Sequence, residues 1–317
     1  MSAPAIVVEG LTKTYRGGSV RALDNVSLTI ASGETLGVIG PNGAGKTTLL
    51  GCLLGFLRPD AGRIEVEGHA PDDLAVRAMT GYLPERLVLD RWMNGLDFLH
   101  HHHALARLPA AGRAAECTSA LERVGLEPAA GRQRIGRYSR GMLQRLAFAQ
   151  ALLGSPRLLF LDEPISGVDP AGVLLFRRLL AELSQGGVTV LVNSHQLAEV
   201  ERVCTRVVFV QKGRIDAIET LQAGAEHARV LRVRLASGAG YAPAGADIAE
   251  RLGRAAAGCG ASFRDWTAPD ARFAVADDAG ATQLLAALLA AGLPVIEAAP
   301  EEGRLERLFS GPEGSAS

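Results

Sequence analysis

Four cysteines in 317 residues, Cys52, Cys117, Cys204 and Cys259, form no CxxC pair and no zinc-type spacing. That excludes a clipped metal module and a disulfide framework, and leaves buried thiols in a reducing compartment as the expectation. Charge of one sign is also missing: 33 basic and 34 acidic residues leave a formal net charge of −1. No nucleic-acid partner is expected from overall charge, and only a local basic patch would serve one. The longest apolar run, residues 284–296, falls short of the roughly 18 residues a spanning helix needs. The opening MSAPAIVVEG has neither a basic flank nor an apolar h-region, so no signal peptide is read there. Any work at a membrane then requires a partner as anchor. What the chain does have is core: 48% hydrophobic and 21% charged residues exclude a disordered protein. The length suits one large domain or two modest ones.

Strand-like segments open the chain, at residues 6–9 and at 26–30, where Val26, Leu28 and Ile30 alternate with polar residues. A continuous apolar run at 35–39 leads into GPNGAGKTT and a helical pattern at 47–57, followed by a strand at 64–67. Residues 92–153 read as helical and Ala/Leu/Arg-rich, with breaks near Pro109 and at 125–128. Strands at 157–161, 188–193 and 207–210 then alternate with helices at 171–185 and 196–204, which implies a parallel sheet covered by helices. Near Gly224 the composition changes. Strand 231–235, helix 248–259, strands 261–266 and 272–276, helix 280–291 and strand 293–298 follow in the order βαββαβ, the split βαβ arrangement of a small ferredoxin-like domain.

Two motifs carry chemistry. Gly40, Pro41, Asn42, Gly43, Ala44, Gly45, Lys46, Thr47 and Thr48 form a G-x-x-x-x-G-K-T loop between a strand and a helix. Such a loop curls its amides around phosphate at a helix N-terminus that already favours anions. Lys46, expected on a solvent-facing loop, would reach the β- and γ-phosphates of ATP, and the Thr47 hydroxyl would join a Mg²⁺ shell. The second motif is the apolar strand ending in Asp162-Glu163-Pro164. Acids at the C-terminal end of a strand lie where open α/β sheets bind ligands. Asp162 is assigned to Mg²⁺, and Glu163 to polarising the attacking water. An acidic cap on the next turn is the bland reading of these two acids, weakened by the phosphate loop upstream.

With these motifs the chain resembles the ATP-binding subunit of ABC transporters, over about residues 6–220. The family's LSGGQ signature corresponds to Tyr138-Ser139-Arg140-Gly141-Met142, which keeps the serine and the second glycine. The resemblance implies that Ser139 and Gly141 touch the γ-phosphate held by a partner subunit. It also implies that Ser166-Gly-Val-Asp169 is the D-loop, that His195 is the switch histidine and that Tyr15 stacks on adenine. A strand tyrosine can equally be packing, and a lone histidine a satisfied polar residue. Two positions depart from the pattern: Glu85 stands where many members carry glutamine, and Ile165 where Thr or Ser is usual. A carboxylate at 85 can still serve Mg²⁺ or its water. Leu-Pro-Glu85 and the Tyr-Ser-basic-Gly-Met string resemble the subgroup that serves exporter-type (ABC-2-like) permeases and often carries an appended C-terminal domain.

The implied fold is an α/β P-loop NTPase with a parallel sheet, an antiparallel β edge and an inserted helical subdomain, plus the small α+β domain. Residues 1–222 are expected to form the ATP-binding domain, with its helical subdomain at about 90–154. Residues 228–310 would form the accessory domain and 311–317 a flexible tail. The implied function is ATP hydrolysis that powers an exporter. Two copies would sandwich ATP and Mg²⁺ at the inner face of the cell membrane, held there by an integral-membrane permease. A soluble ABC-type ATPase working without a permease is the alternative, and a non-enzymatic nucleotide-binding regulator is disfavoured by Glu163 and His195. The four histidines 100–103 place only His100 and His103 on one helix face, and two ligands do not close a zinc site. A solvated or packed face is expected there.

Overall fold

Short runs with apolar residues on both faces belong in the middle of a covered parallel sheet. Three such runs, Thr35–Ile39, Leu158–Asp162 and Thr189–Asn193, are buried at every position. The computed structural model describes residues 4–221, 229–236, 245–275, 278–300 and 305. It divides into two units, Met1–Ala223 and Gly224–Ser317. The tail expected at 311–317 lies outside the described residues.

In the first unit the strands are β1 (Pro4–Tyr15), β2 (Val20–Ala31), β3 (Thr35–Ile39), β4 (Ala61–Val66), β5 (Thr80–Leu83), β6 (Leu158–Asp162), β7 (Thr189–Asn193), β8 (Arg206–Gln211) and β9 (Arg214–Thr220). The helices are α1 (Lys46–Leu53), α2 (Leu74–Ala78), α3 (Gly95–Leu105), α4 (Arg113–Arg123), α5 (Pro128–Arg132), α6 (Arg140–Ala151), α7 (Pro170–Gln185) and α8 (Leu197–Val203). Six strands run in the order β5-β6-β7-β3-β8-β9, parallel except for the antiparallel edge pair β8-β9. A three-stranded antiparallel sheet has the order β2-β1-β4. One core joins the two sheets. Ile6, Leu11 and Leu23 of the smaller sheet cluster with Val38, Phe160 and Leu191 of the larger, and with Leu49, Leu50 and Leu53 of α1. In α7, Phe176, Leu179, Leu180 and Leu183 are buried at helical spacing, and Asp169 caps the first turn by accepting the Gly172 amide at 3.0 Å.

The second unit comprises β10 (Arg229–Leu235), α9 (Gly245–Ala257), β11 (Ser262–Thr267), β12 (Asp270–Val275), α10 (Asp278–Ala290) and β13 (Val295–Pro300). Its sheet is antiparallel throughout, in the order β11-β12-β10-β13. Leu231, Val233 and Leu235 point into a core with Leu252, Phe273, Leu284 and Leu288. The alternating Arg232 and Arg234 pair with Glu297, and Arg234 also with Asp270. The βαββαβ order is therefore a split βαβ sheet.

Several boundaries differ from the sequence reading. Helix α1 stops at Leu53 and not near Leu57, because Gly55 turns left-handed (φ 69°) and the amides of Phe56 and Leu57 fold back on the Gly51 carbonyl at 2.8 and 3.0 Å. The helical stretch has a third break before α6, where Arg134–Tyr138 form a tight turn and Ser139 restarts the helix. Strands β5 and β9 carried no strand assignment. Each pairs with only one neighbour and closes an edge of the sheet. Of the histidine run, His103 is fully buried with Nε2 at 3.1 Å from Glu116, His100 and His102 are half-buried, and His101 is exposed.

Candidate functional site

The larger sheet delivers polar groups from the ends of four neighbouring strands. Residues following β5, β6, β7 and β3 are, respectively, Glu85, Glu163, Ser194 with His195, and the loop 40–45; Asp162 and Asn193 end their own strands. Because β6 and β7 are parallel and in register, Asp162 stands beside Asn193. All these groups lie at the C-terminal edge of the parallel strands, where such sheets leave a crevice.

The loop between β3 and α1 is tightly held. Gly40 (φ 151°) leaves no room for a side chain, since a Cβ there would come within 2.0 Å of the Val210 carbonyl oxygen. Gly45 (φ 109°) is pressed in the same way on the Ala22 oxygen, at 2.3 Å. Pro41, Asn42, Gly43 and Thr47 are exposed, Thr48 is half-buried, and Ala44 is buried. The loop faces solvent at 41–43 as expected, while the Lys46 side chain is itself only 8% exposed. Its Nζ donates to the carbonyls of Gly40 at 2.8 Å and Pro41 at 3.0 Å, so the loop wraps the ammonium. Burial pushes this amine below the ordinary lysine range, against the pull of Glu163, Asp162 and Glu85.

Asp162 is 2% exposed. Burial raises its carboxyl above the usual range; the Asn193 amide opposes that, while Glu85 and Glu163 reinforce it. Glu163 sits at φ 49°, a left-handed conformation costly for a side-chain-bearing residue. Its amide is fixed by the Asn193 carbonyl at 2.8 Å. Its carboxylate is fixed as well: Oε1 accepts the His195 amide at 3.0 Å and faces His195 Nδ1 at 2.8 Å, and Oε2 accepts from Ser194 Oγ at 3.2 Å. A carboxylate is an acceptor, so Nδ1 carries the hydrogen and Nε2 of the exposed ring is turned elsewhere.

Sequence reading therefore finds Lys46, Glu85, Asp162, Glu163 and His195 together. Tyr15, Ser139, Gly141 and Asp169 are placed differently: among the described residues no hydrogen bond or ion pair joins them to residues 40–48. Tyr15 is 37% exposed at the end of β1, with the Lys13 ammonium 5.9 Å from its ring centre. The strand end is anchored at Asp60, which accepts from the Thr14 hydroxyl and amide and from Lys13, and is held at about 2 by them. Ser139 caps α6, accepting the Met142 amide at 3.3 Å. Gly141 has open space where a side chain would stand. From α6, Arg140 donates to Ser166 Oγ at 3.3 Å, and buried Gln144 donates to the Pro164 carbonyl at 2.8 Å. Asn193 and Gln144 were missed by sequence reading, and Ser194 was read only as the neighbour of His195. The signal for Asn193 and Ser194 was the abrupt polar end of the apolar run before His195.

The ABC transporter family model matches residues 23–166. An uncharacterized ABC transporter ATP-binding protein of Nostoc is 41% identical over 221 residues, covering 68% of this chain and 66% of that protein. The daunorubicin resistance ATP-binding protein DrrA3 of Streptomyces coeruleorubidus is 41% identical over 219 residues, covering 68% of both chains. The chain belongs to the ABC transporter ATP-binding family. A solved dimeric structure of the bacterial ABC transporter cassette MJ0796 matches with a TM-score of 0.63 at 25% identity, over 69% of this chain and 99% of the other. The chain spans just under two thirds of the Nostoc relative's length. Within this ABC cassette, Arg140 fills a position that the LSGGQ pattern gives to glycine. Gly167 makes the room: a Cβ on it would lie 2.5 Å from the Arg140 guanidinium.

Proposed function

We propose that this chain binds ATP with Mg²⁺, hydrolyses it, and powers an exporter-type ABC transporter as a homodimer. The observation that carries the reading is the convergence of the wrapped Lys46, buried Asp162 and the Glu163–His195 pair at one sheet edge. The residues fit the two groups. A glycine-bounded loop with an ammonium at its centre suits polyphosphate. Hard oxygen donors, the Thr47 hydroxyl and the Asp162 and Glu85 carboxylates, suit Mg²⁺. When bound, Mg²⁺ neutralises phosphate charge and polarises the bond to be broken.

Lys46 would turn its donors from the Gly40 and Pro41 carbonyls toward the β- and γ-phosphates. Asp162, with Glu85 beside it, would hold Mg²⁺ directly or through water. A carboxylate has about four acceptor positions, and three on Glu163 are engaged by Ser194 and His195. The one left, on Oε2, would take the proton of the attacking water. His195 keeps that carboxylate aimed and offers Nε2 to phosphate, a contact that requires the doubly protonated ring. Tyr15 would stack on adenine. Ser139, whose oxygen is engaged in its own cap, still has its O–H to donate. With Gly141, and with Asp169 at the interface, it would complete the site of a second copy.

The shared site has a direct test. A Lys46→Ala subunit and a Ser139→Ala subunit each form homodimers with two broken sites, whereas their mixture contains one site with both intact parts. Vanadate trapping of nucleotide is expected in co-expressed, differently tagged subunits and not in either homodimer. No trapping above the homodimers, with mixed dimers confirmed by pull-down, would sink the shared site.

No helix among the described residues is long and apolar enough to cross a membrane. The chain would therefore act at the inner face of the cell membrane through an integral-membrane permease, and the resistance protein among its relatives favours export. We take residues 1–222 as the ATP-binding domain, with its helical subdomain near 90–154, and 228–310 as an accessory domain. Deleting the chain after Gln222 should leave basal phosphate release largely unchanged and alter transport or its regulation. If a folded truncation bound no nucleotide at all, the removed part would have to complete the site or the dimer.

A further inference from the structure

Asn193 ends β7 at 2% exposure, directly beside Asp162 on β6. Its Nδ2 donates to Oδ1 of Asp162. A carboxylate offers only acceptors, so the amide must turn its NH₂ toward Asp162 and its oxygen away. That oxygen, Oδ1, has no donor among the described residues. A buried amide oxygen without a donor is destabilising, and native sites rarely keep one without a use. The protein groups nearby do not supply the donor. Asp162 and Glu163 are acceptors, and Lys46 is directed at the Gly40 and Pro41 carbonyls. A water in the shell of a small hard cation is a different matter. Mg²⁺ keeps several waters when bound by one or two carboxylates, and their O–H bonds are polarised.

We infer that Asn193 is a positioning residue for Mg²⁺ at the ATP site: Nδ2 fixes which Asp162 oxygen is presented to the ion, and Oδ1 accepts from a water of its shell. This rests on the ATP-and-magnesium reading above. Partners that orient a metal's ligands commonly account for 10–100-fold in metal affinity. A planar amide carries both a donor and an acceptor, so one side chain could serve the carboxylate and the shell; alanine supplies neither.

The test uses the full chain in a Glu163→Gln background, where ATP persists through the measurement. ATP affinity is measured by calorimetry with Mg²⁺ and again with EDTA, for that parent and for the same chain carrying Asn193→Ala. The expected result is a loss of about tenfold or more with Mg²⁺ and unchanged affinity in EDTA. Asn193→Ser, which keeps a shorter polar group in the strand, is expected to show the same selective loss and serves if the alanine variant does not fold. An equal Mg²⁺ advantage in parent and variants would overturn the inference. So would a parallel loss with and without the metal, since that is what strand packing alone would give. A parent that binds no ATP in either condition would overturn the ATP reading itself, a result distinct from the other two.

Discussion

Lys46→Ala is expected to abolish Mg²⁺-dependent phosphate release, by at least about 100-fold, the scale seen when a preorganised charge-stabilising donor is removed. The chain should still fold, because backbone hydrogen bonds also tie the loop: the Ala44 amide donates to the Pro41 carbonyl at 3.2 Å and the Gly213 amide to the Ala44 carbonyl at 2.8 Å. Some stability will go with the side chain. The Gly40 and Pro41 carbonyls lose their donor, and unsatisfied carbonyls cost about 1–3 kcal/mol where they are buried. Asp162, Glu163 and Glu85 also lose the cation that faces them. Lys46→Met, which preserves the aliphatic stem, separates these effects: it should recover melting temperature without recovering turnover. Native turnover in either variant would remove Lys46 from the mechanism.

Glu163→Gln should bind ATP and stall. Glutamine has nearly the same shape and can still accept the His195 amide, but it takes no proton from water, so hydrolysis should fall by about 10²–10⁴-fold. With ATP and Mg²⁺ the variant should elute from size exclusion as a dimer that the native protein populates only briefly. Hydrolysis at the native rate would place the base elsewhere, and Glu85, which follows β5 beside β6, would be the next residue to change.

The parts of this site that could be read from the sequence are those in which local order carries the chemistry. Strand, glycine loop and helix are contiguous at 35–53, and the acids of 162–163 end an unbroken apolar strand. The βαββαβ run was visible because Leu231, Val233 and Leu235 alternate with arginines. What could not be read is what register and burial decide. Nothing local in Asn193 announces that β7 will lie beside β6 and point an amide at Asp162. Nor does the polar, glycine-rich motif announce that the loop carbonyls fold over the Lys46 ammonium. Edge strand β5 escaped because its one neighbour, β6, is distant in sequence, β9 because none of its residues is fully buried, and the break before α6 because only the capping contact of Ser139 marks where the helix restarts.

Arg140 and Gln144 stand one helical turn apart on α6, and both hold the stretch that begins at Glu163. The Ser166 amide in turn bonds back to the Glu163 carbonyl at 3.2 Å. Helix and turn are thereby fastened as a single lever with Ser139 at one end. A tilt of that helix would pull on the left-handed turn that carries the Glu163 carboxylate. Under the proposed function, a second copy pressing on Ser139 would therefore reach Glu163, the proposed base, through two side chains and one peptide.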